Sequence, residues 1–226
     1  MQQFMAFFTA LFLMINGFFA ALPHTVPVAL SKPGTTVSDT EKVLKVYKDI
    51  AAKNNDLQTR TTVKGEYPNF SWLESLRAKF TTQILNPIGT GVGHVMLGVP
   101  SSYSAMKASD LKSAKAEYYN NGKTVVITLS PKLESFTEAT KTPAPIATRA
   151  FGPLVDGIVT GLELSQTMFG ATSYKGEFQV AEIKLVADAK TGKIVSADFN
   201  LELLVAYKNN GLTLMEILYV VETKLP

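Results

Sequence analysis

The C-terminal quarter of the chain constrains the fold most. Residues 175–187, 193–207 and 212–224 are three long runs of alternating apolar and polar side chains, separated by Asp188-Ala189-Lys190-Thr191-Gly192 and by Asn209-Asn210-Gly211. Both separators hold the Asn, Asp and Gly residues that accept turn geometry at little steric cost. In the middle run Val195, Ala197, Phe199, Leu201, Leu203, Val205 and Tyr207 alternate with Ser196, Asp198, Asn200 and Glu202. Such a period of two buries one face of an antiparallel meander and leaves the other wet. The first run changes phase, from Phe178 and Val180 to Ile183 and Leu185, and a β-bulge near Ala181 accommodates the change and bends the sheet. A strand of about fifteen residues at roughly 3.3 Å each reaches about 50 Å, too long for a flat sheet to be covered by helices of four or five turns. The pattern predicts an α+β fold: a curved, half-barrel-like antiparallel sheet of five or six strands packed on two or three helices.

Upstream segments supply the remaining elements. Ser38 and Glu41 form a capping-box pattern ahead of Val43, Tyr47, Ile50 and Ala51 at helical spacing, which predicts a helix over about 39–54 with its lysines on the solvated side. Leu57, Thr59, Thr61 and Val63 alternate as a strand, and Ser71 with Glu74 opens a second helix that Pro87 closes. Residues 112–130 read as a hairpin around Asn121-Gly122, residues 131–145 as a Pro- and Thr-rich loop, and residues 146–163 as a third helix carrying Ala147, Phe151, Leu154, Val155, Ile158 and Leu162.

The front of the chain is of another kind. No charged residue precedes Lys32, and the run from Phe4 to Leu22 is interrupted only by Thr9, Asn16 and Gly17. As a helix it would span about 28 Å, close to the thickness of a bilayer's hydrocarbon core. It reads as a signal peptide or a membrane anchor over residues 1–22, followed by a Pro/Gly/Thr tether over 23–37 and a single α+β domain over 38–226. The Met-Gln-Gln start lacks the basic residues of an export signal, and cleavage after Ala20 or Ala21 would put phenylalanine where a small residue is preferred. The lysines that follow, Lys32, Lys42, Lys45 and Lys48, would by themselves hold their flank in the cytoplasm, although whole domains translocate largely regardless of charge. The location expected is secreted or extracytoplasmic and membrane-anchored, with residues 4–22 in the membrane if they are retained.

Candidate chemistry is sparse. With no cysteine, thiolate zinc sites, iron–sulfur clusters and cysteine nucleophiles are excluded. The domain's single imidazole, His94, has no second histidine with which to ligate a metal, and no metal or cofactor is expected. The net charge of +3 rests mostly on dispersed lysines, and Arg60, Arg77 and Arg149 alone could make forked phosphate contacts, so nucleic acid is not an expected partner. Gly89-Thr90-Gly91-Val92-Gly93 lacks the Lys-Ser/Thr ending of a phosphate loop, so Gly89, Gly91, Gly93 and Met96 are read as a permissive loop, a glycine-broken strand or an apolar flap over a cavity. Glu134 with Glu138, and Asp156 with Glu163, could divide acid and base roles, but solvated surface carboxylates account for them more simply. Trp72 beside Tyr67 and Phe70 is read as a packing residue rather than a sugar platform.

The helix, the strand, Ser109-Asp110-Leu111-Lys112-Ser113-Ala114-Lys115 at the hairpin entry and Asp188-Ala189-Lys190-Thr191-Gly192-Lys193-Ile194 at the turn together resemble a family of uncharacterised secreted and cell-surface domains of Firmicutes, over about residues 43–223. The resemblance implies export and a non-enzymatic role and transfers no catalytic residue. The resulting expectation is a non-enzymatic envelope module that binds an apolar small molecule or lipid in a sheet–helix cavity, lined by Phe151, Leu154 and Ile158 from the helix and by Phe199, Leu201 and Tyr219 from the sheet. The alternative is a module that presents its outer sheet face or an edge strand to a surface protein or the wall.

Overall fold

The computed structural model describes residues 30–54 (Ser31 excepted), 58–70, 90–96, 104–139, 144–152 and 170–224, with the helical positions Val155, Ile158, Val159, Leu162, Glu163, Gln166 and Thr167; of residues 58–70, 90–96, 223 and 224 it describes the backbone. The expected helix at residues 1–22, the helix opened by Ser71 and Glu74, Gly89, Leu154 and Asp156 lie outside these residues.

In chain order the elements are β1 (Thr35–Val37), α1 (Thr40–Lys53), β2 (Gln58–Phe70), β3 (Thr90–Met96), β4 (Leu111–Tyr119), β5 (Thr124–Pro131), β6 (Ser135–Thr137), α2 (Pro145–Phe151), β7 (Ser173–Asp188), β8 (Ile194–Asn209) and β9 (Leu212–Lys224). The strands form one antiparallel sheet in the order β1-β4-β5-β7-β8-β9-β2-β3, with β6 paired to the start of β7. The α+β class is as expected, but the sheet has nine strands among the described residues rather than five or six. Three of them carry little period-two signal: β1 and β6 have three residues each, and β3 is interrupted by glycine. The sheet also begins inside the residues assigned to the tether, since Thr35–Val37 pair with Ala116–Tyr118.

The meander forms where the alternation places it, with 16 residues in each of β7 and β8. Ala197, Phe199, Leu201, Leu203, Val205 and Tyr207 are all buried on one face of β8. The phase change in β7 is a register shift between Phe178 and Val180, which returns Ala181, Ile183 and Leu185 to the buried face. The β4–β5 hairpin turns through Asn120, Asn121 and Gly122, all at positive φ.

Two helix boundaries differ from expectation. The cap of α1 is Asp39 rather than Ser38: the Asp39 carboxylate accepts the Lys42 N–H at 3.0 Å, a charge-assisted bond that suits the positive end of a helix. The third helix is not continuous. α2 ends at Gly152 (φ 64), next to Pro153, because proline has no N–H to give and restricts the residue before it; helical geometry resumes by Val155. Val43, Leu44, Tyr47, Ile50 and Ala51 of α1, Ala147, Ala150 and Phe151 of α2, and Val155, Val159 and Leu162 join the inner face of the sheet in one hydrophobic core.

Candidate functional site

Of the residues expected to line a cavity, five are among the described residues, and these meet at the hydrophobic core. Phe151, Phe199 and Leu201 are buried in the single core cluster, and Ile158 and Tyr219 are partly buried against it. Tyr219 stands opposite Leu203, and Val221 opposite Leu201, so Phe199, Leu201 and Tyr219 share the inner face. Gly91 and Gly93 also reach this face by register: Gly91 pairs with Val63, Val63 with Val221 and Val221 with Leu201, while Gly93 leads through Thr61 and Thr223 to Phe199. The stretch read as a loop, flap or glycine-broken strand is thus a strand from Thr90 to Met96, lying three strands, or about 14 Å, from β8. The alternation of β2 offers it a ladder of backbone partners, and an outer strand tolerates glycine where a central one would lose packing.

Of the carboxylates considered for acid–base work, Glu134 and Glu138 are engaged with backbone amides. Glu134 Oε2 accepts the N–H groups of Ile146 and Ala147 at 2.8 and 2.9 Å, capping α2, where Ala144 at φ 48 supplies no cap of its own. Glu138 Oε2 accepts the Tyr174 N–H at 3.1 Å. Burial pushes the Tyr174 phenol up, and the charges of Glu163 and Glu138 push it further; its ring packs against Phe136 and Tyr207.

Sequence reasoning passed over two polar anchors. Asp110, 5% exposed, accepts Arg149 Nε at 2.9 Å and a terminal guanidinium nitrogen at 2.7 Å, together with the Lys107 N–H at 2.8 Å. Burial raises the Asp110 carboxyl, but the guanidinium and the Lys107 amide outweigh it and hold the group below the usual carboxylate value. Asn54, 6% exposed, donates from Nδ2 to Ile50 O and Gly192 O, each at 2.7 Å, and accepts the Ile194 N–H at 3.2 Å. It pins the end of α1 to the β7–β8 turn. In sequence, an Asn after a helix signals only a C-cap, and its long-range partners are set by topology.

On the outer face, Lys184, Asp198, Lys224, Arg60 and His94 stand in one cross-strand row of β7, β8, β9, β2 and β3. Asp198 Oδ1 is buried without a hydrogen-bond partner among the described residues. Among those residues no group of three or more His, Cys, Asp or Glu side chains could hold a metal ion, and no helix is long and apolar enough to cross a membrane.

The remaining candidate site is a polar groove of about 570 Å3 along the outer strand β4, lined by Ser38, Thr40, Lys112, Ser113, Ala114, Lys115, Glu117 and Thr128. It exists because β1 is short. Pairing of β1 with β4 stops at Val37 and Ala116, after which the chain leaves the sheet for α1, while β4 continues back to Leu111. The Tyr118 carbonyl accepts the Gly34 N–H at 2.8 Å, so Tyr118 turns its backbone groups toward the β1 side. By the alternation of a strand, Ala116 and Ala114 turn theirs the same way. Ala116 has β1 as its neighbour, and Ala114 faces the groove with no strand beside it among the described residues. Lys115 is paired with Glu117 at 2.7 Å, and Lys112 is exposed at a register shift between Leu111 and Ser113.

Comparison of the chain with protein-family models, with curated proteins and with solved structures finds no match.

Proposed function

We propose that the protein is a non-enzymatic, extracytoplasmic module of the cell envelope, exported or held at the membrane by residues 4–22, that pairs an extended segment of another protein with the open end of β4. The observation that carries this reading is the groove at Ala114, where the main-chain groups of β4 run on past the end of β1 beside walls formed by Ser38, Thr40 and Ser113, with Ala114 itself 6% exposed at its floor. Strand addition draws its affinity from such main-chain groups and its selectivity from the flanking side chains. Lys112 and Lys115 would favour a segment with acidic residues. Edge lysines also discourage indiscriminate pairing, so the same residues select and protect.

Backbone hydrogen exchange along β4 provides the experiment, comparing the purified protein with the protein in its envelope fraction. The Ala114 amide is expected to exchange freely in the first and to gain protection in the second, with Ala116 protected in both. Equal exchange of Ala114 in the two samples refutes the reading.

A second reading, an apolar ligand held on the inner face of a half-barrel-like sheet, is favoured by the two rows that run from Leu201 and Phe199 to Gly91 and Gly93. Glycine contributes no side chain to fill the inner face at its β3 edge. A lipid that co-purifies with the native protein in mass spectra would support it, and a ligand-free spectrum would count against it.

A further inference from the structure

The two ends of the sheet differ in charge, and the difference is aligned with the point where the N-terminal segment enters the fold. One end holds the β4–β5 turn, the β7–β8 turn and the C-terminus of α1. Ala189 N donates to Lys123 O at 2.8 Å, Thr124 pairs with Asp188, and Asn54 bonds Gly192, so the three pieces are in contact. They carry Lys53, Lys123, Lys190 and Lys193, all exposed. The Lys53 side chain lies close over Gly192. The chain joins the sheet at this end, through exposed Lys32 and through Gly34, whose N–H bonds Tyr118. The acidic groups here, among the described residues, include Glu117, opposite Thr36 and paired with Lys115, and Asp198, four residues into β8. Asp188 is committed to its own turn, accepting the N–H groups of Lys190 and Thr191 and the Thr191 hydroxyl, and Asp49 lies one turn back along α1. Among the described residues at the far end, Arg149 is matched by Asp110, and Glu134, Glu138, Glu163, Glu177 and Glu216 outnumber Lys107, Lys132, Lys175 and Lys208.

We propose that this lysine-bearing end docks on the anionic phosphate headgroups of the bilayer that holds residues 4–22, so that the sheet stands on the membrane with its acidic end outward. The proposal rests on the anchoring read from residues 4–22. Chain length permits the contact: from Leu22 to Leu30 there are eight residues, which reach at most about 28 Å when fully extended. The end of the sheet where the chain enters is therefore the end that the tether keeps nearest the headgroups. Within the thin layer where an anionic surface potential acts, each lysine strengthens attachment about fivefold. The acidic end, about 50 Å away along the strands, is repelled by the same surface. A neutral or acidic entry end would leave the domain free to tumble on its tether; the observed polarity fixes one orientation.

The test uses the full-length protein with vesicles of phosphatidylcholine alone and with vesicles containing about one third phosphatidylglycerol, a content that gives a strongly anionic surface. Flotation in high salt reads the anchor. Amine-acylation rates, followed by mass spectrometry, read the docking. Lys53, Lys123, Lys190 and Lys193 are expected to react several-fold more slowly on anionic than on neutral vesicles and to recover in high salt, with Lys208 unchanged throughout. Replacing Lys123 and Lys190, both exposed at turns, with glutamine should restore fast acylation of Lys53 and Lys193 on anionic vesicles. Flotation with no difference in lysine reactivity between the two vesicles overturns the docking and leaves the anchor standing. Failure to float with neutral vesicles overturns the anchor and the docking with it. Equal protection by a soluble polyanion in place of vesicles also overturns the lipid assignment, in favour of an anionic wall polymer.

Discussion

Asp110→Asn tests the physical account of the fold at its most buried charge. The substitution keeps the shape of the side chain, removes its charge, and leaves Arg149 facing an amide that can accept at one oxygen only. Wild-type Asp110 accepts three hydrogen bonds, two of them from one guanidinium at 2.7 and 2.9 Å, with its side chain 7% exposed. Breaking a buried ion pair by removing one partner costs about 3–5 kcal/mol. Here the Arg149 side chain is 28% exposed, so water recovers part of that cost, and a loss of about 2–3 kcal/mol is expected. In urea unfolding, with a slope of about 2–3 kcal/mol/M, the midpoint falls by about 1 M. The pH dependence supplies a second signature. Because the folded-state pKa of Asp110 is lowered, its stabilisation is present above the unfolded value and is lost as pH falls through the folded one. The wild-type advantage over Asp110→Asn is therefore level from about pH 7 down to about pH 5 and shrinks below about pH 4, near the unfolded carboxylate value. A midpoint shift smaller than about 0.2 M, or an advantage that grows on acidification, would refute the account. Arg149→Met in the Asp110→Asn background should cost less than the two single changes summed, because the second substitution removes the stranded charge.

Asn54→Ala removes the two bonds that fasten α1 to the β7–β8 turn, together with the bond to Ile50 O within the helix, and leaves Gly192 O and Ile194 N without that partner, for an expected loss of about 2–4 kcal/mol by urea or thermal unfolding; a loss below about 1 kcal/mol would mean that water replaces the amide. Gly176→Ala places a Cβ 2.5 to 3.0 Å from three atoms of the Phe136 ring, so β6 must shift or the ring must turn, with destabilisation of about 1–3 kcal/mol that Phe136→Leu should partly relieve; an unchanged melting temperature would show that the ring moves freely.

Local periodicity was sufficient for the elements that alternate over many residues. The three strands of the meander, the bulge before Ala181, the Asn-Gly hairpin and the first helix each follow from backbone preference and from which side chains avoid water, and these act within a few residues of one another. The same logic misplaced the cap at Ser38, where the adjacent Asp39 carries a full charge to the helix N-terminus, and ran the third helix through Gly152-Pro153 because the apolar spacing continues across a break that proline's missing N–H enforces. β1 and β6 were illegible, and β3 was one of three readings of its stretch, for a different reason: a three-residue or glycine-rich strand exists only because a neighbouring strand offers it hydrogen bonds, and that neighbour is remote in sequence. Lysines that look scattered along the chain gather at one end of the sheet only once the turns at 120–123 and 188–193 are brought side by side.

What the sequence determined by itself was the class of molecule: an uncharged apolar front end, a domain built on a long antiparallel meander, no cysteine, and a single histidine within the domain. Tertiary structure alone decided which surfaces are available. The groove at Ala114 arises because β1 is only three residues long while β4 runs on, and the pairing of Asp110 with Arg149 and of Asn54 with Gly192 joins residues 39 and 138 positions apart. Hydrophobic period is a local property of the chain. An open strand edge, a satisfied buried charge and a pole of lysines depend on contacts between distant segments, which form only when the core closes.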